Sequence, residues 1–127
     1  MNDHKKCSTC KMIKGLHSFY NSKRELDGKE YQCKECSSSR QKRQREVLWM
    51  KIKEHYGFIC FCCGDATNEF LTIDHIFNDG AEQRRSLNKG RLYASIVRDG
   101  FPNTYRIACM NCNFSLGVRG YCPHKSK

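Results

Sequence analysis

The sequence lacks any long apolar segment. No hydrophobic run approaches the ~18 residues that a transmembrane helix requires, and no apolar stretch of the signal-peptide type follows Met1. We therefore expect no membrane partner and a cytoplasmic location. Internal repeats and low-complexity tracts are also absent, which argues against a repeat or biased-composition protein. Hydrophobic residues make up only 39% of the 127 residues, which excludes a large core and predicts one domain or two small ones.

Acidic residues are scarce as well. Asp and Glu number 13 against 23 Lys and Arg, and the formal net charge is +10. A strongly basic protein attracts polyanions, and nucleic acid is the partner that we expect first. The alternative is that the basic surface serves only solubility.

Cysteine, by contrast, is abundant. Ten cysteines can stabilise a fold whose core is small, either as disulfides or as metal ligands. Reduced thiols in the cytoplasm favour metal binding, and disulfides are the alternative. Eight of the cysteines form four C-x-x-C units: Cys7/Cys10, Cys33/Cys36, Cys60/Cys63 and Cys109/Cys112. Because two such units complete a tetrahedral site, we predict two structural Zn²⁺ ions.

Segment 40–56 indicates which C-x-x-C units pair. Its sequence, RQKRQREVLWMKIKEHY, contains no Gly or Pro, and its apolar residues recur at helical spacing after capping-type serines at 37 to 39. At ~1.5 Å per residue such a helix would be about 25 Å long and would separate Cys36 from Cys60. We therefore pair the first two units with each other and the last two with each other. A crossed pairing is the alternative.

This pairing predicts three parts. Residues 1–39 form a four-cysteine zinc ribbon with a hairpin turn at the Asp-Gly of positions 27 and 28, residues 40–56 form a basic linker helix, and residues 57–127 form a larger unit with a four-cysteine zinc site of its own. The expected fold class is therefore small α+β, stabilised by zinc.

Two cysteines lie outside the C-x-x-C units, and two of the five histidines are candidate metal ligands. We expect Cys62 and Cys122 to be small packed thiols rather than ligands that join His124 around a third metal. His17 competes as a ligand within the ribbon, but four cysteines already complete that site, so we expect a surface or packing histidine.

Basic side chains cluster where the linker helix begins. We predict that they contact DNA phosphates, which would give sequence-independent and salt-sensitive affinity. A solvated helix face is the alternative. A second basic pair precedes a helix predicted around positions 92 to 97. The predicted DNA-binding residues are Arg40, Lys42, Arg43, Arg45, Arg84 and Arg85.

An Asp-His pair interrupts the strand-like run FLTIDHIF at residues 70–77. Buried polar groups without partners are costly, so the pair must lie at a strand end or bind something. Asn113 directly follows the last C-x-x-C unit. Asp74 and Asn113 offer the hard oxygen ligands that Mg²⁺ accepts, and His75 can take a proton from water near neutral pH. A base, a metal and a basic surface together predict phosphodiester hydrolysis.

The motifs C-x-x-C-G at 60–64, I-D-H-I at 73–76 and C-x-x-C-N at 109–113 resemble those of the HNH endonucleases. The likeness is to the zinc-stapled phage type, including the recombination endonuclease VII group, and it extends over residues 60–117. The N-terminal ribbon and the C-terminal C-P-H also look like parts of phage HNH proteins.

The resemblance implies a ββα-metal (HNH/His-Me finger) unit after the zinc ribbon. It further implies that His75 is the general base, that Asp74 and Asn113 hold a catalytic Mg²⁺ or Mn²⁺, and that zinc is structural. A phage-encoded protein acting on DNA in the host cytoplasm would follow.

The chain departs from this family at two places. Phe114, Ser115, Leu116 and Gly117 supply no further metal ligand along the last helix, and Asn103 is the nearest candidate for the Asn that usually packs the inter-strand loop. Two other functions stay open: a non-catalytic zinc module that binds nucleic acid, and a zinc-stapled protein-interaction module. The chain could act as a monomer or a homodimer.

Overall fold

The computed structural model describes residues 3–77, 80, 82 and 91–125. Arg84 and Arg85, two of the predicted DNA contacts, lie outside this part of the chain. The chain forms two compact units, Met1–Glu46 and Val47–Lys127. The predicted division into residues 1–39, 40–56 and 57–127 stays a prediction.

The first unit contains two small antiparallel strand pairs. Strand β1 (His4–Lys6) pairs with β2 (Ile13–Gly15), and β3 (Phe19–Asn21) pairs with β4 (Lys29–Cys33). The turn between β3 and β4 passes through Gly28, whose φ of 76° is a conformation that glycine adopts without strain. Phe19 is the one large side chain buried with the cysteines of this unit among the described residues, so little apolar packing supports it.

Helix α1 (Lys34–Tyr56) begins directly after β4, six residues earlier than the sequence suggested. The serines at 37 to 39, predicted as caps, lie inside the helix, so that prediction was wrong. The reason is tertiary: Cys36 is carried on the first helical turn, where it meets the cysteines that precede it. Serine has only a moderately lower helix propensity than alanine, so three serines within the helix cost little free energy.

In its described residues, the second unit is built on one pair of strands and a helix that follows them. Strand β5 (Leu71–His75) pairs antiparallel with β6 (Tyr105–Cys109) in uninterrupted register. Helix α2 (Leu92–Arg98) lies between them in the chain, and helix α3 (Met110–Arg119) leaves β6 without a loop and packs against both strands. The molecule is thus a small α+β protein.

The core of the second unit is small and rich in sulfur. Isoleucines from the end of α1, from both strands and from α2 meet there: Ile52, Ile73, Ile96 and Ile107. The same cluster also contains Leu71, Ala108 and four buried cysteines: Cys60, Cys109, Cys112 and Cys122. At its edge, Trp49 stacks on Tyr93 with ring centroids 5.3 Å apart. Disrupting the contacts among these cysteines would therefore also disrupt the packing of the core.

No helix within the described ranges combines the length and apolarity needed to cross a membrane.

Candidate functional site

The first cysteine cluster lies in the first unit. The sulfurs of Cys7, Cys10, Cys33 and Cys36 all lie within 4.8 Å of one another and could hold a zinc ion. Backbone N–H groups of Thr9 and Cys33 donate to the Cys7 sulfur at 3.4 and 3.3 Å. Burial raises the pKa of the Cys7 thiol, but these backbone donors outweigh burial and lower it to about 5. The backbone therefore stabilises the thiolate, which is the form that binds metal.

Lys14 extends this cluster outward. Its Nζ donates to the Cys33 sulfur at 3.4 Å and to Glu35 Oε2 at 3.3 Å. The hydrogen bond to Cys33, followed by that to Glu35, raises the pKa of Lys14 to about 12. A cation beside the sulfurs offsets the excess negative charge of a four-thiolate site.

The second cluster groups Cys60, Cys63, Cys109 and Cys112, with all four sulfurs within 4.8 Å. The Cys63 and Cys109 sulfurs are 3.7 Å apart, close to the roughly 3.8 Å expected for two sulfurs bound to one tetrahedral zinc at ~2.3 Å each. Gly64 allows the tight turn of this knuckle with a φ of 78°. Both groupings match the pairing predicted from the sequence, and both could hold zinc.

A third cluster contains Cys62 and Cys122, which we expected from the sequence to be small packed thiols. The donor atoms of Cys62, Cys112, Cys122 and His124 lie within 4.8 Å of one another. Cys122 is buried, as expected, but it converges with Cys62 and His124 on a cysteine of the second cluster. The C-P-H motif at 122–124 was the signal in the sequence for this cluster. Spacing along the chain does not reveal that Cys62 and Cys112 lie next to this motif. His17 is exposed and belongs to none of the clusters found in the described residues.

Asp74 and His75 lie at the end of β5. The strand has no bulge: Asp74 pairs with Arg106 and His75 with Tyr105, so the two side chains leave opposite faces and could serve one site only around the strand end. His75 contacts the Tyr105 ring edge-to-face, with centroids 5.2 Å apart. The backbone of Gly80 lies so close that a Cβ there would be 3.1 Å from His75 Nδ1.

Asp74 is paired with a residue that the sequence analysis did not identify. Its Oδ2 accepts a hydrogen bond of 2.6 Å from Arg106 Nε, and Asp74 is only 6% exposed. The Arg106 guanidinium in turn lies 3.6 Å from the centre of the Phe61 ring. Arg106 faces Asp74 because β5 and β6 are antiparallel. An antiparallel alignment of TIDH at 72–75 with YRIA at 105–108 places Asp74 opposite Arg106, so the sequence could have suggested this pair.

Asn113 lies in the first turns of α3, next to the second cluster. Its Nδ2 donates to the main-chain oxygen of Ile73 at 3.1 Å. The amide nitrogen is therefore used to hold α3 against β5, and the amide oxygen is the atom that a metal could bind. The structure thus brings Asn113 to the backbone of the residue that precedes Asp74.

The four predicted phosphate contacts on α1 are all exposed: Arg40, Lys42, Arg43 and Arg45. Arg40 donates to the Tyr31 hydroxyl at 3.3 Å. Their exposure is compatible with phosphate binding and equally with a solvated face. Asn103, the candidate for packing the loop between the strands, is also exposed.

Comparisons of the chain with protein-family models, with curated proteins and with solved structures give no match.

The Asp74–Arg106 pair leads to a prediction about stability. Arg106→Met would leave the buried carboxylate of Asp74 without this donor, and we expect a loss of about 1–3 kcal/mol in the free energy of unfolding. Arg98→Met is the matched control, because the Arg98–Asp99 pair is 72% and 52% exposed and should contribute only about 0–1 kcal/mol. Urea unfolding of the two zinc-loaded variants measures both. Equal losses would contradict a structural role for the buried pair.

Proposed function

We propose that this protein is a metal-dependent DNA endonuclease of the HNH type. The observation that carries the proposal is the convergence of three elements: β5 ends in Asp74 and His75, β6 runs beside it, and α3 holds Asn113 against β5. The order of two antiparallel strands and a helix, with a cysteine cluster at the junction of β6 and α3, supports a ββα-metal unit. The resemblance of the three motifs to HNH proteins points to the same chemistry.

In this proposal the first and second clusters, with four cysteines each, hold structural zinc ions. Cys109 and Cys112 flank the start of α3, and Asn113 follows at once, so zinc at the second cluster would set the position of that side chain. Structural zinc sites with four protein ligands have no open position for a substrate. Catalysis is therefore assigned to the oxygen and nitrogen side chains beside the cluster.

His75 is proposed as the general base that takes a proton from the attacking water. Asp74 and Asn113 would hold Mg²⁺ or Mn²⁺, since both supply hard oxygen donors. A bound divalent ion would stabilise the negative charge that develops on the scissile phosphate. Arg106 donates to Oδ2 of Asp74, and such an outer hydrogen bond often orients a metal-binding carboxylate.

DNA is the proposed substrate because the chain is basic and exposes four cationic side chains along α1. Each phosphate contact would add affinity that salt weakens. The contribution of Arg84 and Arg85 stays a prediction, as does a phage origin.

The test is a supercoiled-plasmid assay with Mg²⁺ or Mn²⁺ and a matched EDTA control. Nicked or linear product that requires the divalent ion supports the endonuclease. Intact plasmid, together with intact oligonucleotide libraries of all base compositions and intact branched substrates, would overturn it. Because one chain carries one such site, the ratio of nicked to linear product also reports whether two chains act together.

A non-catalytic zinc module that binds nucleic acid is the second candidate. The observation that favours it is the Asp74–Arg106 ion pair, since a carboxylate paired with arginine can serve structure alone. This candidate predicts salt-sensitive gel shifts without cleavage under any divalent ion. Asp74→Asn separates the two: it should abolish metal-dependent cleavage in an endonuclease and leave binding by a pure module unchanged.

The close approach of Gly80 to His75 leads to a further prediction. Gly80→Ala would place a methyl group 3.1 Å from His75 Nδ1 and 3.2 Å from Cε1, so the ring must shift by a few tenths of an ångström. We expect roughly a tenfold fall in the cleavage rate, because small displacements of a catalytic group are costly. Gly15→Ala is the control, since it crowds His17 even more closely, at 2.7 Å from Cε1 and 2.8 Å from Nδ1, outside the proposed site. Similar plasmid-nicking rates for both variants would contradict the role of His75.

A further inference from the structure

The third cluster contains the right atoms for a metal site of its own. Cys62 lies inside the knuckle of the second cluster, Cys112 lies on α3, and Cys122 and His124 lie in the turn that follows α3. Three sulfurs and one imidazole are a common donor set of structural zinc. All four donor atoms lie within 4.8 Å of one another.

The distances among these donor atoms fit a tetrahedral ion. The Cys122 sulfur is 3.6 Å from the Cys112 sulfur, and His124 Nδ1 is 3.2 Å from the sulfur of Cys112 and 3.3 Å from that of Cys122. Tetrahedral zinc with bonds of ~2.3 Å to sulfur and ~2.0 Å to nitrogen predicts separations of about 3.8 and about 3.5 Å. A disulfide would instead need two sulfurs about 2.05 Å apart. These distances are therefore typical of ligands of one metal ion rather than of a disulfide.

Cys112 belongs to both the second and the third cluster and is fully buried. A thiolate sulfur has more than one lone pair, so it can bind two metal ions at once. The two clusters together offer six cysteines and one histidine, which are enough for two tetrahedral ions only if one ligand is shared. The shared ligand is the residue that lies between the two sets.

We propose that Cys62, Cys112, Cys122 and His124 bind a further zinc ion, and that Cys112 bridges it to the zinc of the second cluster. The second unit then contains a two-zinc cluster, and the whole chain binds three zinc ions. The further ion ties the turn at 122–124 to α3 and to the knuckle at Cys62. This inference does not depend on nuclease activity, and it holds equally for a nucleic-acid-binding module.

Zinc stoichiometry is the first test. The full chain, purified without chelator and dialysed against metal-free buffer, should contain three zinc ions by native mass spectrometry and by release to a chromogenic chelator. His124→Ala should contain two, and His17→Ala, which removes an exposed histidine outside the clusters, should retain three. Two zinc ions in the wild-type chain, or three in His124→Ala, would overturn the proposal. So would a native mass that shows a disulfide in place of the third ion.

A second measurement needs no variant and tests the bridge itself. After replacement of zinc by ¹¹³Cd, the Cys112 β-protons should correlate with two cadmium resonances in a proton–cadmium spectrum. The β-protons of Cys60 and Cys122 should each correlate with one, and not with the same one. Correlation of Cys112 with a single cadmium resonance would overturn the bridged cluster.

Discussion

In the proposed endonuclease, His75→Ala should eliminate measurable plasmid cleavage while the protein remains folded and bound to DNA. General-base catalysis by a positioned side chain typically contributes ~10²–10⁴-fold to a rate, and a methyl group cannot accept the proton of the attacking water. His75 lies at the strand end and is only half-buried, so its truncation should leave the isoleucine core beneath β5 intact. Initial nicking rates with saturating Mg²⁺ measure the effect.

The controls for this variant separate catalysis from folding and from binding. His4→Ala removes an exposed histidine in the first unit and should cleave at the wild-type rate. Zinc content and gel-shift affinity of His75→Ala should equal those of the wild type. Cleavage at the wild-type rate by His75→Ala, freed of contaminating nuclease, would refute the assignment of the base. Loss of both cleavage and zinc would instead indicate misfolding, and His75→Gln would then repeat the test with a side chain of similar bulk.

Loss of a ligand from the second cluster should unfold the second unit. Structural zinc contributes about 10–16 kcal/mol of apparent binding free energy in zinc-finger peptides, whereas a whole domain is stable by only about 5–15 kcal/mol. The buried core cluster of residues 47–127 mixes four cysteines with four isoleucines, Leu71 and Ala108, so loss of the metal would also disturb the packing of this core. Cys60→Ser should therefore abolish slow amide exchange in β5 and β6.

Cys7→Ser is the reciprocal control, because Cys7 is equally buried but belongs to the first cluster. Hydrogen exchange read by mass spectrometry should show lost protection in β3 and β4 for this variant, with β5 and β6 protected. Strong zinc chelation should remove protection from both sets of strands. Protection of β5 and β6 that survives Cys60→Ser together with chelation would show that packing alone maintains the second unit.

Much of the local structure could be predicted from particular residues. The strand-like run at 70–77 contains β5 (Leu71–His75), and the helix predicted around positions 92 to 97 is α2, since each has a short-range pattern of apolar residues. The start of α1 could not be predicted, because closure of the first cluster outweighs the local preference of three serines. The exposure of Asn103 could not be predicted from the sequence either, because it depends on the conformation of the chain before β6.

The sequence by itself determined the four C-x-x-C units and favoured the grouping that the structure shows. A knuckle is local, its two sulfurs are held by a short turn, and chain length between knuckles restricts the pairing. The tertiary structure alone decided that Arg106 pairs with Asp74, that Asn113 is held to Ile73, and that Cys62 and His124 meet at Cys112. These contacts join segments far apart in the chain, and their partners follow from strand register and helix packing, which no local spacing encodes.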